Sequence, residues 1–293
     1  MGKMGKIKKP ADKLNVFREK LHYGLVQEIK IKKKLIDTES EYQKIEIFDT
    51  YSYGRVMALD GVVQITEKDE IAYSEMLVHP AINLIKKPKN ILIIGGGDGA
   101  VAEEVLKYEF IVDIDLVDID PEVIRLSKKY FKKVNKDSLN NKKVNIYNMD
   151  AFLFTHNTKK KYDLIIADRP DPVGFGKNLF LSNFYKNISD ILSNDGLAVF
   201  QSGVIYLQKK ETSQVCKRVQ KFFNFSGILF TVVPSYIGGF MALVWASNKK
   251  DFNKIKNYNL KNYNIKTDYF NQDVFKASFA VPEFIKSILN NSV

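Results

Sequence analysis

Four acidic side chains stand where short apolar runs end. Gly95-Gly96-Gly97-Asp98-Gly99 follows one run, Asp118 closes the next, and Asp168 and Asp171 follow a third within DLIIADRPDPVG (Asp163–Gly174). Glycines after a strand let the backbone turn sharply and let a ligand approach where a Cβ would collide. An acidic side chain about twenty residues further on can accept hydrogen bonds from both hydroxyls of a ribose. These are the parts of a nucleoside site, and their spacing suits a dinucleotide or an adenosyl sulfonium. Asp98 favours the sulfonium, because it sets a carboxylate where a pyrophosphate would need donors. Asp168 and Asp171, three positions apart, reach the same edge as Asp98. Carboxylates gathered in this way repel one another and hold a proton more tightly unless a cation compensates. Asp150-Ala151 follows a further run, and Asp150 suits either a contact to an adenine amino group or a helix N-cap.

The elements that must position these residues are readable from apolar spacing. From Leu25 to Asp69 the chain alternates as strands do, with Asp60-Gly61 between apolar runs as a hairpin signal. A helix is predicted over Ile71 to Leu84, and Lys86-Lys87-Pro88-Lys89 marks a boundary. Beyond it, short apolar runs alternate with helical ones, the pattern of a parallel sheet with crossover helices. Strands are predicted at Asn90–Gly95, Asp113–Val117, Val144–Asn148, Tyr162–Ala167, Leu197–Gln201, Ile228–Val233 and Met241–Ala246, the last two forming an antiparallel hairpin at the sheet edge. Helices are expected near Ala100–Tyr108, Glu122–Phe131, Asn183–Leu192 and Glu211–Phe223. The fold class is therefore α/β: a Rossmann-like, doubly wound, mostly parallel sheet in residues 89–293, after a unit at 1–88 made of a basic tail, a small antiparallel β domain and a connecting helix. Ligands of such sheets sit beyond the carboxyl ends of the strands.

Composition narrows the class further. The 293 residues carry 45 basic and 34 acidic side chains, a formal charge of +11, and a single cysteine. One cysteine, Cys216, excludes intrachain disulfides and a multi-thiolate metal site. His22, His79 and His156 are scattered without ligand spacing, so no metal site is expected. The basic residues are spread along the chain, without a motif that would make them a nucleic-acid footprint, and no nucleic-acid partner is expected. No apolar run approaches the length of a membrane span, and MGKMGKIKKPADK lacks the apolar stretch of a signal peptide, which makes the cytoplasm the expected location.

Longer strings carry a resemblance. Tyr42-Gln43, GRVMALDGVVQITEKDEIAYSEM (Gly54–Met76), ILIIGGGDGA (Ile91–Ala100), VDIDPEVI (Val117–Ile124), LFLSNFY (Leu179–Tyr185), QSGVIYLQ (Gln201–Gln208) and VPSYIGGFMALVWAS (Val233–Ser247) stand beside DLIIADRPDPVG. Together they resemble the polyamine aminopropyltransferases, in particular the bacterial spermidine synthases, over nearly the whole chain. The resemblance implies a methyltransferase-type sheet and transfer of an aminopropyl group from decarboxylated S-adenosylmethionine, a co-substrate and not a bound cofactor, to putrescine, giving spermidine and methylthioadenosine.

It also implies roles. Gln43 and Asp118 would hold the ribose, Asp150 and Ala151 the adenine, and Asp98 the aminopropyl ammonium or the polyamine, with Gly95 and Phe175 also on the donor side. Asp168 would be the general base, and Tyr73, Ser74, Asp171 and Tyr236 would place the acceptor. A homodimer or homotetramer is implied as well. The family pattern is broken at three places: Ser74 replaces a His or Gln, Arg169-Pro170 replaces two small, mostly polar residues, and Phe175 replaces a proline. These leave open cadaverine, agmatine or a longer polyamine as acceptor, and a methyltransferase using intact S-adenosylmethionine remains the reading from another reaction class. Pro170 biases Arg169 toward an extended backbone, and its guanidinium is expected to turn outward.

Overall fold

The computed structural model describes residues 15–170, 174–253, 258–261 and 263–290. The chain first builds a five-stranded antiparallel sheet in sequential order: β1 (Val16–Glu19), β2 (Gln27–Glu39), β3 (Lys44–Thr50), β4 (Arg55–Leu59) and β5 (Val62–Thr66). The β4–β5 hairpin turns at Asp60-Gly61, both with positive φ (49° and 76°), the twist that a two-residue hairpin requires. One face of the sheet, with Ile45, Ile47, Met57 and Ile65, packs against Val123, Leu126 and Phe131 of the second unit. This packing carries Gln43 and the end of β5 over the second sheet.

Helix α1 (Glu70–Leu84) is buried on nearly every side, and Met76, Leu77 and Val78 enter the same core as Ile91 and Ile93. The second sheet has the order β11-β12-β10-β9-β6-β7-β8. Its strands are β6 (Asn90–Gly95), β7 (Asp113–Val117), β8 (Val144–Tyr147), β9 (Tyr162–Asp168), β10 (Leu192–Val204), β11 (Phe225–Val232) and β12 (Phe240–Ser247). The pairs from β10 across to β8 are parallel, whereas β12 runs antiparallel to both β10 and β11. Helices α2 (Ala100–Leu106), α3 (Pro121–Tyr130), α4 (Lys132–Asn135), α5 (Ala151–Asn157), α6 (Ser182–Ile191) and α7 (Lys209–Gln220) connect the strands, and α8 (Gln272–Ser278) and α9 (Glu283–Asn290) follow them.

The chain proceeds from β6 to β7 and β8 on one side, then crosses to β9 and β10 on the other. The switch point therefore lies between β6 and β9, where Gly95 pairs with Asp168. The predicted strands are all present. Elements without an apolar period long enough to read, β1, α4, α5, α8 and α9, complete the fold.

Candidate active site

At that switch point the strands' carboxyl ends open into a cavity of about 310 Å³. Gly95 has φ +79°, and a Cβ there would lie 1.9 Å from the Asp168 carbonyl oxygen, so only glycine lets β6 and β9 meet this closely. The turn that follows lays the Gly97 amide against Asp118, whose Oδ2 accepts from it at 3.0 Å while Oδ1 accepts from the Asp120 amide at 2.9 Å. Two backbone donors thus fix the Asp118 carboxylate with its outer face on the cavity. Asp98 accepts from the Ala100 amide at 2.7 Å at the start of α2. Asp168, at the end of β9, accepts from the Tyr73 hydroxyl at 2.7 Å. All of these side chains line the same cavity.

The electrostatics follow from that crowding. Burial, reinforced by the Asp98 charge, pushes the Asp168 carboxyl up to about 7, although the Tyr73 hydrogen bond opposes the shift. Burial likewise raises Asp98, and raises Asp118 to about 6 against the pull of its two backbone donors. Among the described residues no Lys or Arg forms an ion pair with Asp98, Asp118 or Asp168. Among the described residues these three carboxyls therefore face the cavity without an ion-pair partner.

Gln43, Asp150, Ala151 and Tyr236 also line the cavity. The Gln43 amide nitrogen donates to Asp120 Oδ2 at 2.9 Å, which leaves its carbonyl oxygen for a ligand hydroxyl. Asp150 caps α5 through the Phe152 amide at 2.7 Å and borders the cavity as well, so both of its expected roles are compatible. Tyr236 donates its hydroxyl to the Gln64 carbonyl at 2.6 Å and meets Tyr73 edge to face at 6.2 Å, making an aromatic wall.

Other expectations need correction or lie beyond the description. Ser74 does not line the cavity: it is 1% exposed, and its hydroxyl donates to Glu70 Oε2 at 2.8 Å. Neighbours on a helix point about 100° apart, so once Tyr73 faces the cavity Ser74 turns away from it. The residue one turn before Tyr73 faces it instead. Glu70 borders the cavity, with its carboxyl pushed up to about 8 by burial. The i, i+3 relation to Tyr73 is the signal that could have identified Glu70. Glu19, on the unforeseen strand β1, is a second overlooked carboxylate at the cavity wall. Arg169 turns away from Asp168, as expected, but into a bed of aromatic rings and not into solvent, being 2% exposed. Asp171 lies outside the described residues, as does the side chain of Phe175.

A different group could supply metal ligands. Glu75, His79 and Glu104 bring one ligand atom each within 4.8 Å of one another. Glu75 accepts three backbone N–H groups, Glu104 is paired with Lys107 at 2.7 Å, His79 Nδ1 bonds the Tyr108 hydroxyl at 2.8 Å, and His79 Nε2 faces Glu104 Oε2 at 2.8 Å. The cluster is a structural network.

Comparison with known proteins agrees with this geometry. Residues 70–259 match the model of the spermine/spermidine synthase domain, and residues 15–67 match that of the spermidine synthase tetramerisation domain. The chain belongs to the spermine/spermidine synthase family. A polyamine aminopropyltransferase of Buchnera aphidicola subsp. Schizaphis graminum is 38% identical over 281 residues, covering 94% of this chain and 98% of the relative. That of Ruegeria sp. is 34% identical, over 92% of this chain and 96% of the relative. A crystal structure of a spermidine synthase in complex with the transition-state analogue AdoDATO superposes with a TM-score of 0.88 at 29% identity, covering 98% of this chain and 99% of that one. The Thermotoga maritima spermidine synthase superposes at 0.87 with 28% identity, over 98% of both chains. This family member is therefore an enzyme of the polyamine aminopropyltransferase class. Among its described residues no helix is long and apolar enough to cross a membrane.

Proposed function

We propose that the enzyme moves the aminopropyl group of decarboxylated S-adenosylmethionine to putrescine, giving spermidine and methylthioadenosine, with Asp168 as general base. The observation that carries this reading is the uncompensated pair Asp98 and Asp168, the latter held by Tyr73 at 2.7 Å. Such a site is built for organic cations. Asp118 and the Gln43 carbonyl take the ribose hydroxyls, Asp150 and Ala151 the adenine, and Asp98 the aminopropyl ammonium. Tyr73, Tyr236 and Asp171 place the acceptor, whose methylene chain suits an aromatic wall.

An acceptor amine has a pKa of about 10.4 and arrives protonated, unable to attack. Ionised Asp168 takes that proton. The freed nitrogen lone pair then forms the new N–C bond at the carbon beside the sulfonium sulfur while the C–S bond breaks, and its electron pair leaves on the neutral thioether. Holding nucleophile, carbon and sulfur in line supplies much of the acceleration, since effective molarities of such arrangements reach about 10⁵ M or more. Intact S-adenosylmethionine carries a carboxylate that Asp98 repels, so donor choice follows from charge.

The same reading takes residues 1–88 as the unit of assembly, in a homotetramer or homodimer, and 89–293 as the catalytic domain, with the cytoplasm as its place of work. Incubating the protein with the decarboxylated donor and an equimolar mixture of putrescine, cadaverine, agmatine and spermidine, and weighing the products by mass spectrometry, tests reaction and acceptor together. Spermidine with methylthioadenosine is the expected pair. A dominant product from another amine would move the acceptor assignment, and methyl transfer from intact S-adenosylmethionine would overturn the reading.

A further inference from the structure

Arg169 follows Asp168 directly, yet the two side chains diverge. Asp168 faces the cavity, whereas the Arg169 guanidinium is buried against α6, where Nη2 donates to the Tyr185 hydroxyl at 2.8 Å and Nη1 donates to the Leu179 carbonyl. Its central carbon lies 3.8 Å from the ring centre of Phe180, with the rings of Phe184, Tyr185 and Phe200 at 5.7, 5.3 and 5.7 Å. Nε has no hydrogen-bond partner, and no described carboxylate forms an ion pair with the group. A guanidinium stripped of water without a counter-ion is costly, so what it touches identifies what it does.

It joins four elements: the end of β9, which it follows, the first helical turns of α6, the short 3-10 segment Gly174–Phe180 between them, and β10 through Phe200. Gly176 and Leu179 of that segment border the cavity, and Leu179 packs in the same cluster as Ala151 and Phe152. The segment is thus the wall beside the adenine end. A planar fork reaches two acceptors at once in fixed geometry, which neither a small polar residue nor a flexible ammonium does.

We propose that Arg169 is a positioning residue for the nucleoside: by bridging the Leu179 carbonyl and the Tyr185 hydroxyl it fixes the wall beside the adenine, so that donor affinity, and not proton transfer at Asp168, depends on it. The proposal rests on the adenosyl reading of that end of the cavity. Three measurements on the full-length protein test it: calorimetric binding of methylthioadenosine, steady-state kinetics in donor and in acceptor, and the rate of tryptic cleavage after the exposed Lys177. Arg169→Met keeps the apolar stem and loses the fork. It should weaken methylthioadenosine about tenfold, raise the donor KM in parallel, leave kcat and the acceptor KM within about twofold, and speed cleavage at Lys177 by about fivefold or more. Tyr185→Phe removes one of the two acceptors and should shift the same quantities in the same direction by about threefold; it decides alone if Arg169→Met does not fold.

Unchanged methylthioadenosine affinity in the variants, beside normal binding by the unmodified protein, overturns the proposal while leaving the reaction standing. A fall in kcat at constant donor KM overturns it as well. Failure of the unmodified protein to bind methylthioadenosine removes the adenosyl reading, and this proposal with it.

Discussion

The cavity mouth and the α1–α2 junction both enclose carboxyl groups, and they treat them in opposite ways. At the junction Glu75 accepts the Asp268, Tyr269 and Phe270 amides at 2.8, 2.9 and 2.6 Å, and Glu104 is matched by the Lys107 ammonium. His79, its pKa lowered to about 4 by burial, stays neutral, accepts from Tyr108 and turns Nε2 toward Glu104 at 2.8 Å. Every charge there is answered from within the chain. At the mouth, Asp98, Asp118 and Asp168 are crowded together, and burial raises the pKa of each. Folding alone does not explain why a protein would keep such repulsion. On the proposed reading, a site that attracts cationic substrates explains it, because the ligand would supply the counter-ions.

The strongest way to break this contrast is Asp168→Asn, which keeps an oxygen for the Tyr73 hydroxyl and removes the charge and the base. Loss of a general base costs about 10²–10⁴ in rate, and kcat should fall within that range. Stability should move the other way. Burial and the Asp98 charge push the folded carboxyl from 3.8 up to about 7, so the native state binds the extra proton between these values and loses stability as pH rises through them. The advantage of the variant should be absent below about pH 4 and complete above about pH 7. Because the group keeps one face on cavity water, on the order of 1 kcal/mol is expected, read as about 2–4 °C in the melting temperature at pH 8. A variant both active and no more stable would show that the mouth is not under electrostatic strain.

Glu75→Gln probes the other region. An amide group would turn two hydrogens toward backbone donors that now meet carboxylate oxygen, and the unsatisfied N–H groups should cost about 2–4 kcal/mol. The melting temperature should fall clearly, while kcat/KM measured well below the transition stays within about threefold. A change in kcat/KM as large as that of Asp168→Asn would mean that the two regions are coupled and that the division drawn here is false.

Much of this arrangement was legible in the sequence because strand ends do not need side-chain directions to be located. Asn90–Gly95 and Asp113–Val117 appear with the predicted bounds, since each is a buried parallel run stopped by turn residues. Once the topology is doubly wound, Asp98, Asp118 and Asp168 must converge at one edge. What stayed hidden depends on rotation and on distant pairing. The divergent directions of Tyr73 and Ser74 follow from about 100° of helix, and the course of Arg169 depends on Leu179 and Tyr185, ten and sixteen residues on. Glu19 reaches the cavity on a four-residue strand visible only when paired with β2, and the amides that satisfy Glu75 come from 268–270, in a segment without apolar period.

Asp120 stands between the two kinds of carboxylate and gives the finest test of the contrast. It is fully buried and answered from within, accepting the Glu122 amide at 2.9 Å as the cap of α3, the Ser40 hydroxyl at 2.7 Å and the Gln43 amide nitrogen at 2.9 Å. Two of these donors belong to the N-terminal unit, so a structural carboxylate orients a cavity residue from behind. Asp120→Asn can keep the cap through its oxygen but presents a donor at the position of the shared Oδ2, which favours rotation of the Gln43 amide and would withdraw its carbonyl from the proposed ribose contact. Loss of one neutral hydrogen bond is worth about 0.5–1.5 kcal/mol, so the donor KM should rise about threefold to tenfold with kcat nearly unchanged. Gln43→Ala should do the same, and the double variant should be no worse than either single one, because both remove one contact. Additive effects would mean that Asp120 supports the site through α3 itself and not through Gln43.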